Sequence, residues 1–153
     1  MSASIAFYKY LLNPLMRGLL RSPLHRIASR NIAILHFTGA KSGRALSTPL
    51  SYTREDNTVR LLSSQNTRWW VNFRSANAPV EIEIAGQRLA GAATLYEGDS
   101  AELRDRVTRF VNALPRDAAV YGLKLDKNKK LRPESLADKA AELVLVEVTL
   151  AGD

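Results

Sequence analysis

At 153 residues, with 46% hydrophobic and 24% charged positions, the chain suits one soluble domain, 1–153, with a real core and no room for a second domain. It has no cysteine, which removes disulfides, thiolate metal sites and cysteine nucleophiles, and no apolar run nears the roughly 20 residues of a spanning helix. The net charge of +7 is uneven: eight basic residues precede the first acid, Glu55, and the other 14 face all 15 acids. Such a concentration points to an anionic partner: nucleic acid, anionic lipid or a phosphorylated small molecule.

The chain opens with "IAFYKYLLNPLMRGLLRSPLHRIASR". Tyr8, Leu11, Leu12, Leu15, Met16 and Leu19 recur at helical steps, opposite a row of Lys9, Asn13, Arg17 and Arg21. Asn13-Pro14 and Ser22-Pro23 each read as an N-cap followed by proline, predicting short helices over about 3–12, 14–20 and 23–30. This basic amphipathic segment, 1–30, is read either as a packing helix or as an element on an anionic membrane surface. Basic residues interrupt its apolar stretch and no small-residue cleavage site follows, so no secretory leader is expected. The expected location is cytoplasmic, peripheral on the inner membrane face if the segment meets lipid.

From Ala33 the period changes. "AILHFTG", "LSTPLSYT" and "TVRLLSS" read as three strands, "PVEIEIAGQRLAGAATLY" as a hairpin turning at Ala85-Gly86-Gln87, and "ELVLVEVTL" as a sixth strand. The alternation puts Glu81 and Glu83 together on a wet face. "TRWWVNFRSA" and "DSAELRDRVTRFVNAL" read as helices. The second has Asp99 as N-cap, Glu102 completing a capping box, and Leu103, Val107, Phe110 and Leu114 on one face. Residues 115–140 read as helix plus the basic loop "KLDKNKK". The expected class is α+β: a six-stranded antiparallel barrel with peripheral helices.

Chemistry-bearing motifs are few. His25 and His36 lie in different elements with no carboxylate at ligand spacing, so no metal site is expected and both read as structural or surface residues. An enzyme with no acid, base or nucleophile of its own must take its chemistry from a cofactor. Between the first two strands, "TGAKSGRALSTPLSY" holds two glycines, Lys41, Arg44 and the hydroxyls of Ser42, Ser47 and Thr48 without an acid. It lacks the spacing of a P-loop. It is either a polar hairpin turn or an anion-binding nest. In "RWWVNFR" adjacent tryptophans project about 100° apart. Trp69 packs inward with Phe73, leaving Trp70 for the core, for Arg74 or for the wall of a flat ring system. Basic and aromatic residues do not interleave along a strand face, so nucleic acid is not the expected partner.

"LRSPLHRIASR", "FTGAKSGRALSTPLSY", "WWVNFR" and "PVEIEIAGQRLAGAATL", in this order and spacing, resemble the deazaflavin (F420)-dependent nitroreductase family. The resemblance runs from about Leu20 to Leu95 and implies a split β-barrel using reduced F420. It implies that Lys41, Ser42 and Arg44 hold the coenzyme phosphate and that Thr48 and Pro49 border the ring and ribityl chain. Ser63 and Ser64 would bond the ring edge, Trp70 and Asn72 form the wall and its anchor, and Tyr121 touch substrate. Hydride would pass to a lipophilic acceptor such as a quinone or nitroaromatic, with no catalytic residue of the chain's own. The chain departs from the family pattern at Ala40, often a second basic residue, and at "LSSQN". These departures keep rival readings open: a non-catalytic barrel holding a fatty acid or lipid at the membrane surface, and a barrel for FMN or haem. Oligomeric state is left open.

Overall fold

The computed structural model describes residues 31–152, so the predicted N-terminal helices, the membrane-facing segment and His25 lie outside the described residues. Seven strands form one antiparallel sheet: β1 (Ile32–Thr38), β2 (Ala45–Ser51), β3 (Thr53–Glu55), β4 (Thr58–Ser64), β5 (Ala78–Ile84), β6 (Gln87–Glu97) and β7 (Leu143–Leu150). Their order is β2-β1-β5-β6-β7-β4-β3. The two edge strands, β2 and β3, are separated in sequence by Tyr52 alone, so the sheet must curl until its edges meet.

That link also explains why seven strands stand where six are expected. "LSTPLSYT" is not one strand but two. The Tyr52 N–H still bonds back to the Asn31 carbonyl on the β1 side. From Thr53 onward the chain pairs with β4 instead, Thr53 opposite Arg60 and Glu55 opposite Thr58. A single bent segment thus serves both ends of the sheet.

Side-chain alternation builds two cores. In β7, Val144, Val146 and Val148 point into the curl, where they meet Leu35, Leu61 and Ile82. Leu143 and Leu145 point outward under α1 (Ala101–Ala113), whose Leu103, Val107 and Phe110 cover them. Two-sided burial is why β7 reads as an almost continuous apolar run. The β5–β6 turn has Ala85 and Gly86 both at positive φ, 52° and 81°. That is the two-residue hairpin geometry whose twist suits antiparallel strands.

Two expectations shift. The N-cap of α1 is Ser100, not Asp99: the Ser100 hydroxyl accepts the Leu103 N–H, while the Asp99 carboxylate takes Arg104 instead. Glu83 is not on a wet face with Glu81. It is 1% exposed and bonds His36 at 2.9 Å, because this outer stretch of β1 and β5 is itself covered. The 115–140 region resolves into a 3-10 turn, Pro115–Tyr121, closed by Gly122 in the left-handed conformation, then a basic turn and α2 (Pro133–Lys139). An isolated bridge from Leu125 to Leu131 clips the basic turn, and the Asp126 carboxylate accepts the N–H groups of Asn128 and Lys130.

Candidate functional site

Barrel closure is incomplete on one side, and strand parity shows where. Along β4 the odd residues face β7: Leu61 to Ser63 lie in that ladder and the Gln65 N–H reaches Glu142. The even residues face the other way, where Thr58 and Arg60 meet β3. Beyond Arg60 that edge has no strand partner, and the backbone groups of Leu62 and Ser64 look into a gap. Across it lies the outer edge of β2. Even β2 residues bond β1, so Pro49 and Ser51 turn their backbone toward the gap. Proline has no N–H and cannot continue a ladder, so Pro49 keeps the edges from zipping together.

The gap is a seam cavity of about 380 Å³ lined by Pro49, Ser51, Leu62, Ser63, Ser64, Asn66, Asp117 and Tyr121 among others. It brings together four of the residues expected in the site: Pro49, Ser63, Ser64 and Tyr121. The turn Pro115–Tyr121 closes it from above. Tyr121 donates its hydroxyl to the Leu62 carbonyl at 2.9 Å, occupying one of the edge groups. Val120, 72% exposed, is an apolar lip at the mouth. A smaller cleft of about 160 Å³ shares Ser64, Asn66, Val120 and Tyr121, and reaches Lys139 and Glu142.

The serine side chains are committed within their own turn. The Ser63 hydroxyl pairs with Thr67 Oγ1 at 2.6 Å and accepts the Trp69 indole N–H at 3.3 Å. The Ser64 hydroxyl donates to Asn66. The donors that β4 aims into the seam are therefore the backbone N–H groups of Leu62 and Ser64. Trp70 is 1% exposed and sits in the core; its indole N–H holds the Ser64 carbonyl and Thr67, and the Arg74 guanidinium lies 5.4 Å from its ring. The 3-10 turn Trp69–Phe73 plugs an end of the curled sheet. Being surrounded, it buries Trp69, Trp70 and Phe73 together, which a helix on a flat surface cannot do.

The loop before β2 is cationic and holds no carboxylate. Gly39 and Arg44 close it, the Gly43 N–H returns to the Gly39 carbonyl, and Gly43 has φ 68°. The Arg44 N–H caps Ser42 Oγ at 3.2 Å. Asn72 accepts the Ala40 N–H at 2.8 Å while donating to the Trp69 carbonyl, tying the loop to the tryptophan turn. Lys41 and Arg44 are exposed, and neither has an ion-pair partner among the described residues. From Arg44 to Pro49 the extended strand spans about 17 Å, five steps of roughly 3.4 Å.

Thr48 stands apart. It shares the inward parity of Leu46 and Leu50, is 2% exposed, and its hydroxyl has no partner. An orphaned buried hydroxyl costs about 1–3 kcal/mol. Thr48→Val should therefore raise the urea midpoint, by about 1 kcal/mol of stability, without changing ligand affinity. A lost affinity in that variant would bring Thr48 into the site.

Asp117 is the residue that sequence reasoning missed. Only 8% exposed, it lines the seam with Arg116 Nε 3.7 Å away. Burial holds its carboxyl above the ordinary aspartate range, opposed by Arg116 and by the Ser51 hydroxyl. In sequence it is an acid in the first turn after Pro115, which reads as ordinary helix-start chemistry. Among the described residues no group of three metal-ligating side chains occurs, and no helix is long and apolar enough to cross a membrane.

Residues 21–128 match the family described as F420H(2)-dependent quinone reductase. Among solved structures the chain is similar to an F420-H2 dependent reductase, FDR-A: 20% identity and a TM-score of 0.52, over 78% of this chain and 94% of that one. It is also similar to a pyridoxamine 5'-phosphate oxidase-related, FMN-binding protein from Nostoc punctiforme, at 14% identity and a TM-score of 0.52, covering 90% and 78%. A third similarity is to HutZ, a haem storage protein from Vibrio cholerae, at 13% identity and a TM-score of 0.50, covering 93% and 92%. At these identities the three structures share a fold with the chain, the split barrel. No curated protein matches it.

Proposed function

We propose, from the premise that the chain belongs to the F420H(2)-dependent quinone reductase family, that its loop at 39–44 holds the coenzyme phosphate and its seam takes the deazaflavin ring. The protein is an F420H2-dependent oxidoreductase with a quinone as acceptor. What supports the assignment of its parts is the cationic, carboxylate-free loop that Asn72 ties to the tryptophan turn, whose Trp69 and Trp70 in turn bond Ser63 and Ser64 of the open seam. The fit is chemical. The loop offers two cations and the free N–H groups of Lys41 and Ser42 to a phosphate, with no competing carboxylate. The seam offers a flat, unpaired strand edge with the Leu62 and Ser64 N–H groups for the carbonyl edge of a ring.

The bound coenzyme supplies the hydride; the chain supplies position and environment. Lys41, Ser42 and Arg44 fix the anionic end. Pro49 keeps the seam from closing and borders the ring. Ser63, through Trp69 and Thr67, and Ser64, through Asn66 and Trp70, set the shape of the β4 edge. Tyr121 and Val120 form the acceptor side of the mouth, and their apolar surface suits a lipophilic quinone.

The test is a fluorescence titration of the protein with F420, run beside FMN and a long-chain fatty acid at fixed salt. Saturable binding of F420 alone is expected. Binding of the fatty acid without F420 would replace this reading with a lipid-binding barrel. Lys41→Ala and Arg44→Ala should each weaken F420 binding roughly tenfold to a hundredfold, the range for a charge-assisted contact. Both side chains are exposed, so urea midpoints should not move. Unchanged affinity in the double variant would remove the loop from the site.

A further inference from the structure

We propose that the Asp117 carboxyl delivers the proton that a quinone needs when it is reduced in the seam. The inference rests on the functional reading above and assigns a role that the coenzyme's hydride leaves unfilled. Converting a quinone to a hydroquinone adds two electrons and two hydrogens, one arriving as hydride and the other as a proton on oxygen. A group at the acceptor that holds that proton can deliver it as the hydride arrives.

Among the described residues that line the seam, Asp117 is the only carboxyl, and there is no histidine or lysine. Tyr121 is the other titratable side chain in that lining, and its O–H is given to the Leu62 carbonyl. The described charged and titratable groups around Asp117 are few. Arg116 and Tyr121 come from its own turn, and β2 contributes Ser51 without charge. The β4 stretch Leu62–Ser64 adds none, and Lys139 and Glu142 lie in the adjoining cleft. Burial favours the protonated carboxyl, the form a donor requires. Arg116 and Ser51 then stand ready for the carboxylate it becomes.

The step balances. As the hydride bonds to the quinone, electrons move onto the quinone oxygen, the Asp117 O–H bond breaks, and its proton forms the new O–H of the hydroquinone. The carboxylate left behind regains a proton from water at its exposed edge. The reduced coenzyme's second hydrogen leaves as a proton to solvent, giving F420H2 + quinone → F420 + hydroquinone overall.

The experiment compares the wild-type protein with Asp117→Asn, which keeps the shape and a hydrogen-bond donor but has no transferable acid. Menadione is the quinone probe. F420 and menadione affinities should stay within about threefold, and menadione reduction should fall by about a hundredfold or more, the scale of general acid catalysis. The wild-type rate should decline as pH rises through the Asp117 titration, and the variant's should be flat across that range. A readout independent of turnover is the carbon NMR titration of the Asp117 carboxyl without coenzyme. Its midpoint should lie above the ordinary aspartate range and rise further when menadione binds. An Asn variant with the wild-type rate and pH profile, or a carboxyl midpoint indifferent to menadione, would overturn the proposal while leaving the oxidoreductase reading intact. Failure of F420 to bind even the wild-type protein would overturn that reading and this role with it.

Discussion

Gly91→Val will lower the urea midpoint severely, and Gly91→Ala will already lower it sharply. A Cβ at Gly91 would stand 2.7 Å from Val148 Cγ1, 2.8 Å from the Thr149 carbonyl oxygen and 3.4 Å from the Leu150 Cα. Two of these three atoms belong to the β7 backbone, which is held in its ladder and cannot rotate away. The third belongs to a fully buried valine in the barrel interior. Overpacking of this kind costs about 1–3 kcal/mol when neighbours can adjust and more when they cannot. Valine, which adds two methyl groups, should exceed about 3 kcal/mol, a large share of the stability of an ordinary domain.

The position explains the requirement. β6 pairs with β5 through residues 87–93 and with β7 through residues 91–97, so Gly91, Ala92 and Ala93 serve both neighbours where the sheet curls. A tight corner needs small residues. Two other glycines serve as controls. Gly98 has open space but φ 79°, so Gly98→Ala should cost only the backbone strain, about 1 kcal/mol. Gly152 has neither constraint, and its alanine variant should match the wild type. Equal midpoints for the Gly91 and Gly152 variants would mean that β6 and β7 do not approach as described.

What could be read from the sequence follows the range of the forces involved. The β5–β6 hairpin is local, and Ala85-Gly86 announces it. The apolar face of α1 is local too, and Leu103, Val107, Phe110 and Leu114 are all buried. The break at Tyr52 is not local. Nothing in "LSTPLSYT" says that its first half will bond β1 and its second half β4, because the change of partner is a property of closure. The same holds for the seam. For Pro49 the family resemblance gives an expected role beside a ring and nothing about its edge. That its missing N–H faces the unpaired edge of β4 depends on the parity of two strands that are not consecutive in the chain. Asp117 enters the site only because the turn after α1 folds back over that gap. Period-two alternation was also too blunt at Glu83: it gives the face but not what covers the face.

Glu83→Ala is the other substitution expected to be severe, at about 3–5 kcal/mol. Glu83 and His36 lie diagonally across the β1–β5 ladder, where Ile34 is opposite Glu83 and His36 opposite Glu81. Both side chains are buried, and Nε2 to Oε1 is 2.9 Å. Removing the carboxylate leaves the imidazole buried without this partner, and adds a cavity the size of the lost side chain. Glu83→Gln keeps the volume and a polar partner for the ring, so it should cost less, about 1–2 kcal/mol. The discriminating variant replaces both residues, His36→Phe with Glu83→Leu. If the cost of the single change is mainly the lost contact between these two groups, the apolar pair should recover most of the stability, because buried pairs give little net gain over packed hydrocarbon. A double variant as unstable as the sum of its parts would instead mean that the two side chains act independently. Guanidinium or urea midpoints for the wild type, His36→Phe, Glu83→Leu and the double variant complete the cycle. Because the pair lies on the outer face of β1 and β5, F420 affinity should be unchanged wherever the protein remains folded.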